Sequence, residues 1–209
     1  MNDEFFMEKA IELSVKAVEN GNEPFGAVLV KDGIIVFTNE NQIYSKNDPT
    51  FHAEMGLIRR FMEKAIELSV KAVENGNEPF GAVLVKDGDI VFTNENQIYT
   101  KNDPTFHAEM GLIRRFVETT GITDLHEYTM YSSCEPCFMC SGAMVWTKLG
   151  RLVFGAGNDD LERILGNKGC SSSRMVFENS FWKPEIRSGV LREKSIRILE
   201  SYFSSHNKG

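Results

Sequence analysis

Two short clusters hold the residues best suited to chemistry. The first is His107-Ala108-Glu109, and the second, thirty residues on, is Pro136-Cys137-Phe138-Met139-Cys140. Cys137 and Cys140 are spaced i and i+3, so on a helix their sulfurs share one face. Both clusters sit where a helix is expected to start, and the positive end of a helix dipole favours thiolates. Two thiolates and a neutral imidazole balance the charge of Zn²⁺ and fill three tetrahedral positions, which leaves the fourth open to water as in a catalytic zinc site. The expectation is one Zn²⁺ per chain, held by His107, Cys137 and Cys140. Glu109 is not a fourth ligand on this reading. It is the general acid–base that takes a proton from the water and passes it on.

Each residue also has a plainer reading. A lone His107 would be a satisfied histidine, and it is the company of Glu109 and the cysteine pair that argues for metal. Cys134 extends the run to Cys-x-x-Cys-x-x-Cys. As a fourth ligand it would close the site and make the zinc structural. Because it ends a strand before the helix turn that aligns the other two, the preferred reading is a buried thiol. Cys170 stands apart among glycine and serines and is read as inert. Phe181 and Trp182 either cap a substrate pocket or pack in the core, and Met130, Met139 and Met144 are read as core.

The elements that position these clusters must be read through a repeat. Residues 6–61 recur as residues 61–116, and only Ile34/Asp89 and Ser45/Thr100 differ. Such identity marks a tandem duplication of part of a domain rather than a solenoid. Removing one copy leaves about 154 residues, an ordinary single-domain length. The expected organisation is therefore a duplicated partial segment, 1–60, followed by a complete domain, 61–209. No Gly or Pro interrupts 57–75, so the join reads as one helix from about 52 to 75. Copy 1 repeats the motif as His52 and Glu54 but brings no cysteines, so copy 2 is expected to build the site, with copy 1 idle, disordered or swapped onto a neighbouring subunit. The strands of copy 1 would lack their sheet neighbours.

In the complete part, apolar spacing predicts a helix over 61–75, strands over 80–86 and 90–93 joined by Lys86-Asp87-Gly88-Asp89, and a helix over 106–118 capped by Thr105. A strand over 128–132, a helix opened by Pro136 through Trp146, a strand over 151–155 and helices over 159–165 and 191–203 follow. Residues 167–190 give the weakest pattern. Alternating helices and short strands imply a three-layer α/β/α domain on a mixed central sheet, with the duplicated N-terminal segment adding a helix-strand-strand-helix fragment.

The chain has 209 residues, is 42% hydrophobic and 25% charged, and carries a formal net charge of -7. That profile is folded rather than disordered. No apolar run approaches a membrane span, and the acidic Met1-Asn2-Asp3-Glu4 start is unlike a signal peptide, so a cytoplasmic location with no membrane partner is expected. The one locally basic stretch, Lys183 to Arg197, has five Lys/Arg against two Glu. It reads as a solvated helix face, which makes nucleic acid a less favoured partner than a small molecule.

His-x-Glu followed by Pro-Cys-x-x-Cys is the pattern of the zinc nucleobase deaminases. Pro79-Phe80-Gly81-Ala82-Val83, Asn102-Asp103-Pro104-Thr105 and Ser133-Cys134-Glu135-Pro136-Cys137 resemble the bacterial guanine deaminases of the cytidine-deaminase superfamily, over about 61–205. The resemblance implies a cytidine-deaminase-like fold, a homodimer, and hydrolytic deamination of a purine base or nucleoside, with guanine converted to xanthine and ammonia. It also implies substrate roles: Asn96 binds the base, Phe80 packs on it, the Ala108 N–H meets a substrate carbonyl, and Glu178, in Phe177-Glu178-Asn179-Ser180-Phe181, reads guanine's N–H groups. Gly142-Ala143-Met144 and Gly150–Gly155 also resemble the tRNA adenosine (A-to-I) deaminases, which stand as the alternative. A cytosine or cytidine deaminase and an inactive zinc-binding scaffold are the remaining readings.

Overall fold

The computed structural model describes residues 3–49, 51–166 and 172–206. Cys170 lies outside them. The chain divides into two compact units, Met1–Arg60 and Phe61–Gly209.

The first unit contains helix α1 (Asp3–Glu19) and strands β1 (Gly26–Lys31) and β2 (Ile34–Glu40), followed by a 3-10 turn (Ala53–Met55). Its two strands pair antiparallel and form a sheet of their own. Helix α2 (Gly56–Glu74) contains the unit boundary, so the join expected as a helix from about 52 is a 3-10 turn and then an α-helix.

In the second unit β3 (Gly81–Lys86), β4 (Asp89–Glu95), β5 (Thr129–Cys134), β6 (Arg151–Ala156) and β7 (Glu185–Arg187) form one sheet in the order β4-β3-β5-β6-β7. The β3 strand pairs antiparallel with β4 and β5, while β5/β6 and β6/β7 are parallel, so the sheet is mixed as expected. The β3–β4 hairpin turns on Asp87 and Gly88, at φ 51° and 81°. Two positive φ values in a two-residue loop make the type I′ turn that suits strand twist, and Asp-Gly is a preferred pair for it.

The strands alternate their apolar residues between two faces. Ala82, Leu84, Met130, Leu152 and Phe154 point to one side, where they meet α3 (Ala108–Thr120), α4 (Phe138–Trp146) and α6 (Ser173–Glu178) through Leu112, Phe116, Met144 and Phe177. On the other side Phe61 of α2 packs at a tilt against Tyr131, and at the C-terminal ends of β5 and β6 Cys134 and Ala156 meet α5 (Asn158–Leu165) and α7 (Arg192–His206) through Leu161, Ile196, Leu199 and Phe203. Gly81 lets α2 approach the sheet closely, since a Cβ there would overlap the Ala65 carbonyl. Helices on both faces of a mixed sheet give the expected three layers.

Local details differ from expectation at the helix starts. The cap of α3 is His107, not Thr105, whose hydroxyl bonds Asp103 instead. The cap of α4 is Cys137, which places Pro136 just outside the helix. The weakly patterned 167–190 stretch contains α6 and the short edge strand β7, both too short for periodicity to reveal.

Candidate functional site

Two helix N-termini supply the centre of the site. His107 caps α3 and Cys137 caps α4, both with extended backbones and without a side-chain capping hydrogen bond. Residues at this position usually turn a side-chain oxygen back onto the helix. Here an imidazole and a thiol occupy the cap positions instead. Cys140, three residues into α4, is fully buried beside them. One ligand atom from each of His107, Cys137 and Cys140 lies within 4.8 Å of the others, and His107 Nδ1 stands 3.6 Å from Cys137 Sγ. Two soft sulfurs and one imidazole nitrogen fit Zn²⁺ in type, number and closeness.

The three donors hold their protons unequally. The Cys137 thiol is drawn down to about 4, chiefly by its hydrogen bond with Cys140 and also by His107. Cys140 is pushed well above the usual thiol range by Cys137 and by burial. The contact with Cys137 raises His107.

Glu109, the second residue of α3, is 5% exposed. Its Oε1 accepts a 2.7 Å hydrogen bond from the buried Ser132 hydroxyl on β5. Burial raises its carboxyl above the ordinary range, more than the Ser132 bond lowers it. An acid held in this way retains its proton longer than a surface glutamate, as a proton shuttle requires.

A cavity of ≈ 460 Å³ opens onto these groups. Its walls include Phe80, His107, Glu109 and Cys137, with Leu161, Leu165 and Phe203 on the far side. No Lys or Arg is among the lining residues that belong to the described part of the chain. Near it Asn96 is fully buried. Its Oδ1 accepts the Ile98 N–H at 3.2 Å, and its Nδ2 has no hydrogen-bond partner among the described residues. A buried amide left with free donors calls for a ligand or water.

The structure thus brings together His107, Glu109, Cys137, Cys140, Phe80 and the buried first residue of α3, Ala108. It does not bring Glu178 in: that residue ends α6, is exposed and does not line the cavity. Cys134 ends β5 in the apolar cluster with Ile196 and Leu199, apart from the three grouped ligands. Trp182 packs on the core and donates to the Leu149 carbonyl at 2.7 Å, while Phe181 is exposed against Trp146. Met130 and Met144 are core, but Met139 lines the cavity rather than the core.

Three residues went unread in the sequence. Ser132 is an ordinary strand residue until β5 is placed beside α3. Glu135 accepts from Ser172 and Ser173 through Oε1 and from the Asn158 N–H through Oε2, so it ties the β5–α4 loop to the starts of α5 and α6. Its place inside the Cys-Glu-Pro-Cys box was the available signal. Glu78 lines the cavity from just before Pro79-Phe80. Two of the five cations of the basic stretch are ion-paired, Arg192 with Asp160 and Glu193 and Lys194 with Glu63. No helix among the described residues is long and apolar enough to cross a membrane.

Known proteins show the same arrangement. The description "Cytidine and deoxycytidylate deaminase zinc-binding region" matches residues 1–61 and again residues 57–156, once for each copy. A guanine deaminase of Bacillus subtilis is 41% identical over 147 residues, covering 70% of this chain and 86% of that protein. A tRNA-specific adenosine deaminase of the same organism is 35% identical over 151 residues, covering 71% and 89%. The solved structure of a guanine deaminase from Nitrosomonas europaea superposes with a TM-score of 0.62 at 22% identity, covering 70% of this chain and 84% of that one, a likeness of fold. With the ligand trio, the buried acid and these relatives in agreement, the chain is a member of the cytidine and deoxycytidylate deaminase zinc-binding family.

Proposed function

We propose that this protein hydrolyses the exocyclic amine of a purine, converting guanine and water to xanthine and ammonia, with Zn²⁺ held by His107, Cys137 and Cys140. The observation that carries the reading is the convergence of those three donors with Glu109 in one cavity. Bound there, zinc supplies Lewis-acid activation of water near neutral pH. The chain's residues do the rest. Glu109 takes the proton of the attacking water and delivers it to the neighbouring ring nitrogen. It then carries the second proton to the departing amine, so that the C–N bond breaks with ammonia as the leaving group. Ser132 fixes the Glu109 carboxylate for both transfers. Phe80 offers a flat apolar surface to the ring, the Ala108 N–H meets a substrate carbonyl, and the spare Asn96 Nδ2 protons meet a ring acceptor.

Substrate class follows from relatives and charge. The guanine deaminase of Bacillus subtilis is 41% identical to this chain. A cavity of ≈ 460 Å³ is of the size small ligands use, and its described walls, with three glutamates and no Lys or Arg among the described residues, suit an uncharged base better than a phosphate. The 35% identity to a tRNA-specific adenosine deaminase supports a second reading, deamination of an adenosine in tRNA. Against it stands the net charge of -7. Ammonia release from guanine, guanosine, cytosine and an anticodon stem-loop, measured with the zinc-loaded protein, decides between them. Guanine is expected to lead, and release confined to the stem-loop would overturn the reading.

A further inference from the structure

Three carboxylates line the cavity, and two are already committed. Glu109 is bound to Ser132 as the proton shuttle, and both oxygens of Glu135 are taken by Asn158, Ser172 and Ser173. Glu78 is different. Among the described residues its one hydrogen bond is a long one, 3.4 Å, from the Tyr99 hydroxyl to Oε1. The other oxygen accepts from none of the described residues.

The backbone around Glu78 is anchored on both sides. Asn77 is fully buried, and its Oδ1 accepts the N–H groups of Tyr99 at 3.0 Å and Thr100 at 3.1 Å. Phe80 N–H donates to the Glu78 carbonyl at 2.8 Å, and Asn96 N–H donates to the Phe80 carbonyl at 2.9 Å. Pro79 restricts the residue before it to extended backbone. One short rigid strip therefore carries the ring-packing Phe80 and, two residues before it, an acid facing the same space. Glu178, the acid that resemblance nominated for reading the substrate, is exposed on α6 away from it.

We infer that Glu78 is the substrate-reading acid of this site: its carboxylate accepts a hydrogen bond from a ring N–H of the purine. The inference rests on the purine-deaminase reading and sharpens it. A carboxylate that has few protein partners and is half removed from water gains most from a ligand that brings donors. The same charge discourages a phosphate from entering, in keeping with a wall that holds no Lys or Arg among the described residues.

The test uses the full zinc-loaded chain with Glu78→Gln and Glu78→Ala. Gln keeps the shape and removes the charge, and Ala removes the acceptor. KM for guanine should rise about tenfold in Gln and about a hundredfold in Ala, with kcat within about threefold of the parent, since one charge-assisted hydrogen bond is lost. Affinity for hypoxanthine, which keeps ring N–H donors and has no amine to lose, should fall by the same factors in a calorimetric titration. Zinc content and melting temperature of the Gln variant should not change. Unchanged KM and hypoxanthine affinity in both variants, or a fall in kcat with KM constant, would overturn the assignment. A parent chain that deaminates no purine would instead overturn the functional reading beneath it.

Discussion

The two copies of the repeated segment have nearly the same sequence and the same local structure, yet among the described residues only the second contributes to a three-donor group. In both, the first strand pairs antiparallel with the second, and the register shifts at the same place, Leu29/Val30 and Leu84/Val85. In both, a buried asparagine accepts the same two N–H groups, Asn22 from Tyr44 and Ser45, Asn77 from Tyr99 and Thr100. Asn39 donates to the Ala53 carbonyl as Asn94 does to that of Ala108. Burial parts them. Met7 is 62% exposed and Ile11 55%, whereas their counterparts Met62 and Ile66 are at 0% and 7%. Glu54 is exposed and Glu109 is buried. Hairpin, turn and polar clasp are therefore written into about fifty-five residues, while the apolar core and the site depend on β5, β6 and the helices that follow.

The largest expected contrast is in metal. His107→Ala should lose tightly bound zinc and with it essentially all turnover, while His52→Ala should keep one zinc per chain and its activity. Metal content after dialysis, alongside ammonia release, reads both. If His52→Ala lost zinc and His107→Ala kept it, the assignment of the site to copy 2 would fail.

Next comes the acid. Glu109→Gln should lower kcat by two to four decades with zinc retained, the usual worth of a general acid–base, while Glu54→Gln should leave kcat unchanged. Because burial raises the Glu109 carboxyl, its deprotonated form is lost on acidification at a higher pH than for a surface glutamate. In the zinc-free protein this loss should lie above the ordinary carboxylate range, as an NMR titration of the Glu109 carboxyl would read. The same burial gives a stability effect of opposite sense. A raised carboxyl in the folded state favours folding below that pKa, and the advantage is lost as pH rises through it. At neutral pH the zinc-free Glu109→Gln protein should therefore be more stable than its parent, by about 0.5–2 kcal/mol, a trade of function against stability. A parallel melt of Glu54→Gln should show no change.

How much of this was legible follows the same division. The ligand trio and Glu109 were readable because His-x-Glu and Cys-x-x-Cys each sit within one helical turn, where spacing fixes geometry. The sheet could be read from apolar runs bounded by Asp-Gly and Pro. Ser132 and Glu78 were not readable, since each matters only through a neighbour brought by tertiary packing: Ser132 meets Glu109 across the β5–α3 contact, and Glu78 shares a cavity with residues as distant as Phe203. Met139 looked like core because composition cannot tell a cavity wall from an interior. Thr105 looked like a cap because its type is favoured, but at the true cap position the sequence spends a histidine on another task.

A core deletion should separate the copies less than the site does, but clearly. Leu84 is fully buried and Leu29 only half-buried, at matching positions of matching strands. Leu84→Ala should cost about 2–5 kcal/mol and Leu29→Ala much less, since deleting a methyl cluster costs most where the surroundings cannot collapse. Urea unfolding monitored by hydrogen exchange, which resolves the two units, would show it. Equal costs would mean that β1 is as enclosed as β3.

The smallest effect is a predicted equality. Lys16 pairs with Glu40 at 3.0 Å and Lys71 with Glu95 at 2.9 Å, and in each pair the lysine side chain is about 60% exposed and the glutamate below 10%. Each glutamate also accepts from an asparagine amide, Asn20 or Asn75, so removing a lysine leaves its carboxylate a partner. Lys16→Met and Lys71→Met should each cost no more than about 1 kcal/mol, by the same amount, and the cost should shrink as salt is added. The reason is that both ions of the pair come from within the repeat, the helix and the second strand of the same copy. A clear excess at Lys71 would show that the burial supplied by residues beyond the repeat strengthens even its internal contacts. Equality would confine the difference between the copies to the surfaces that β5 and the later helices cover.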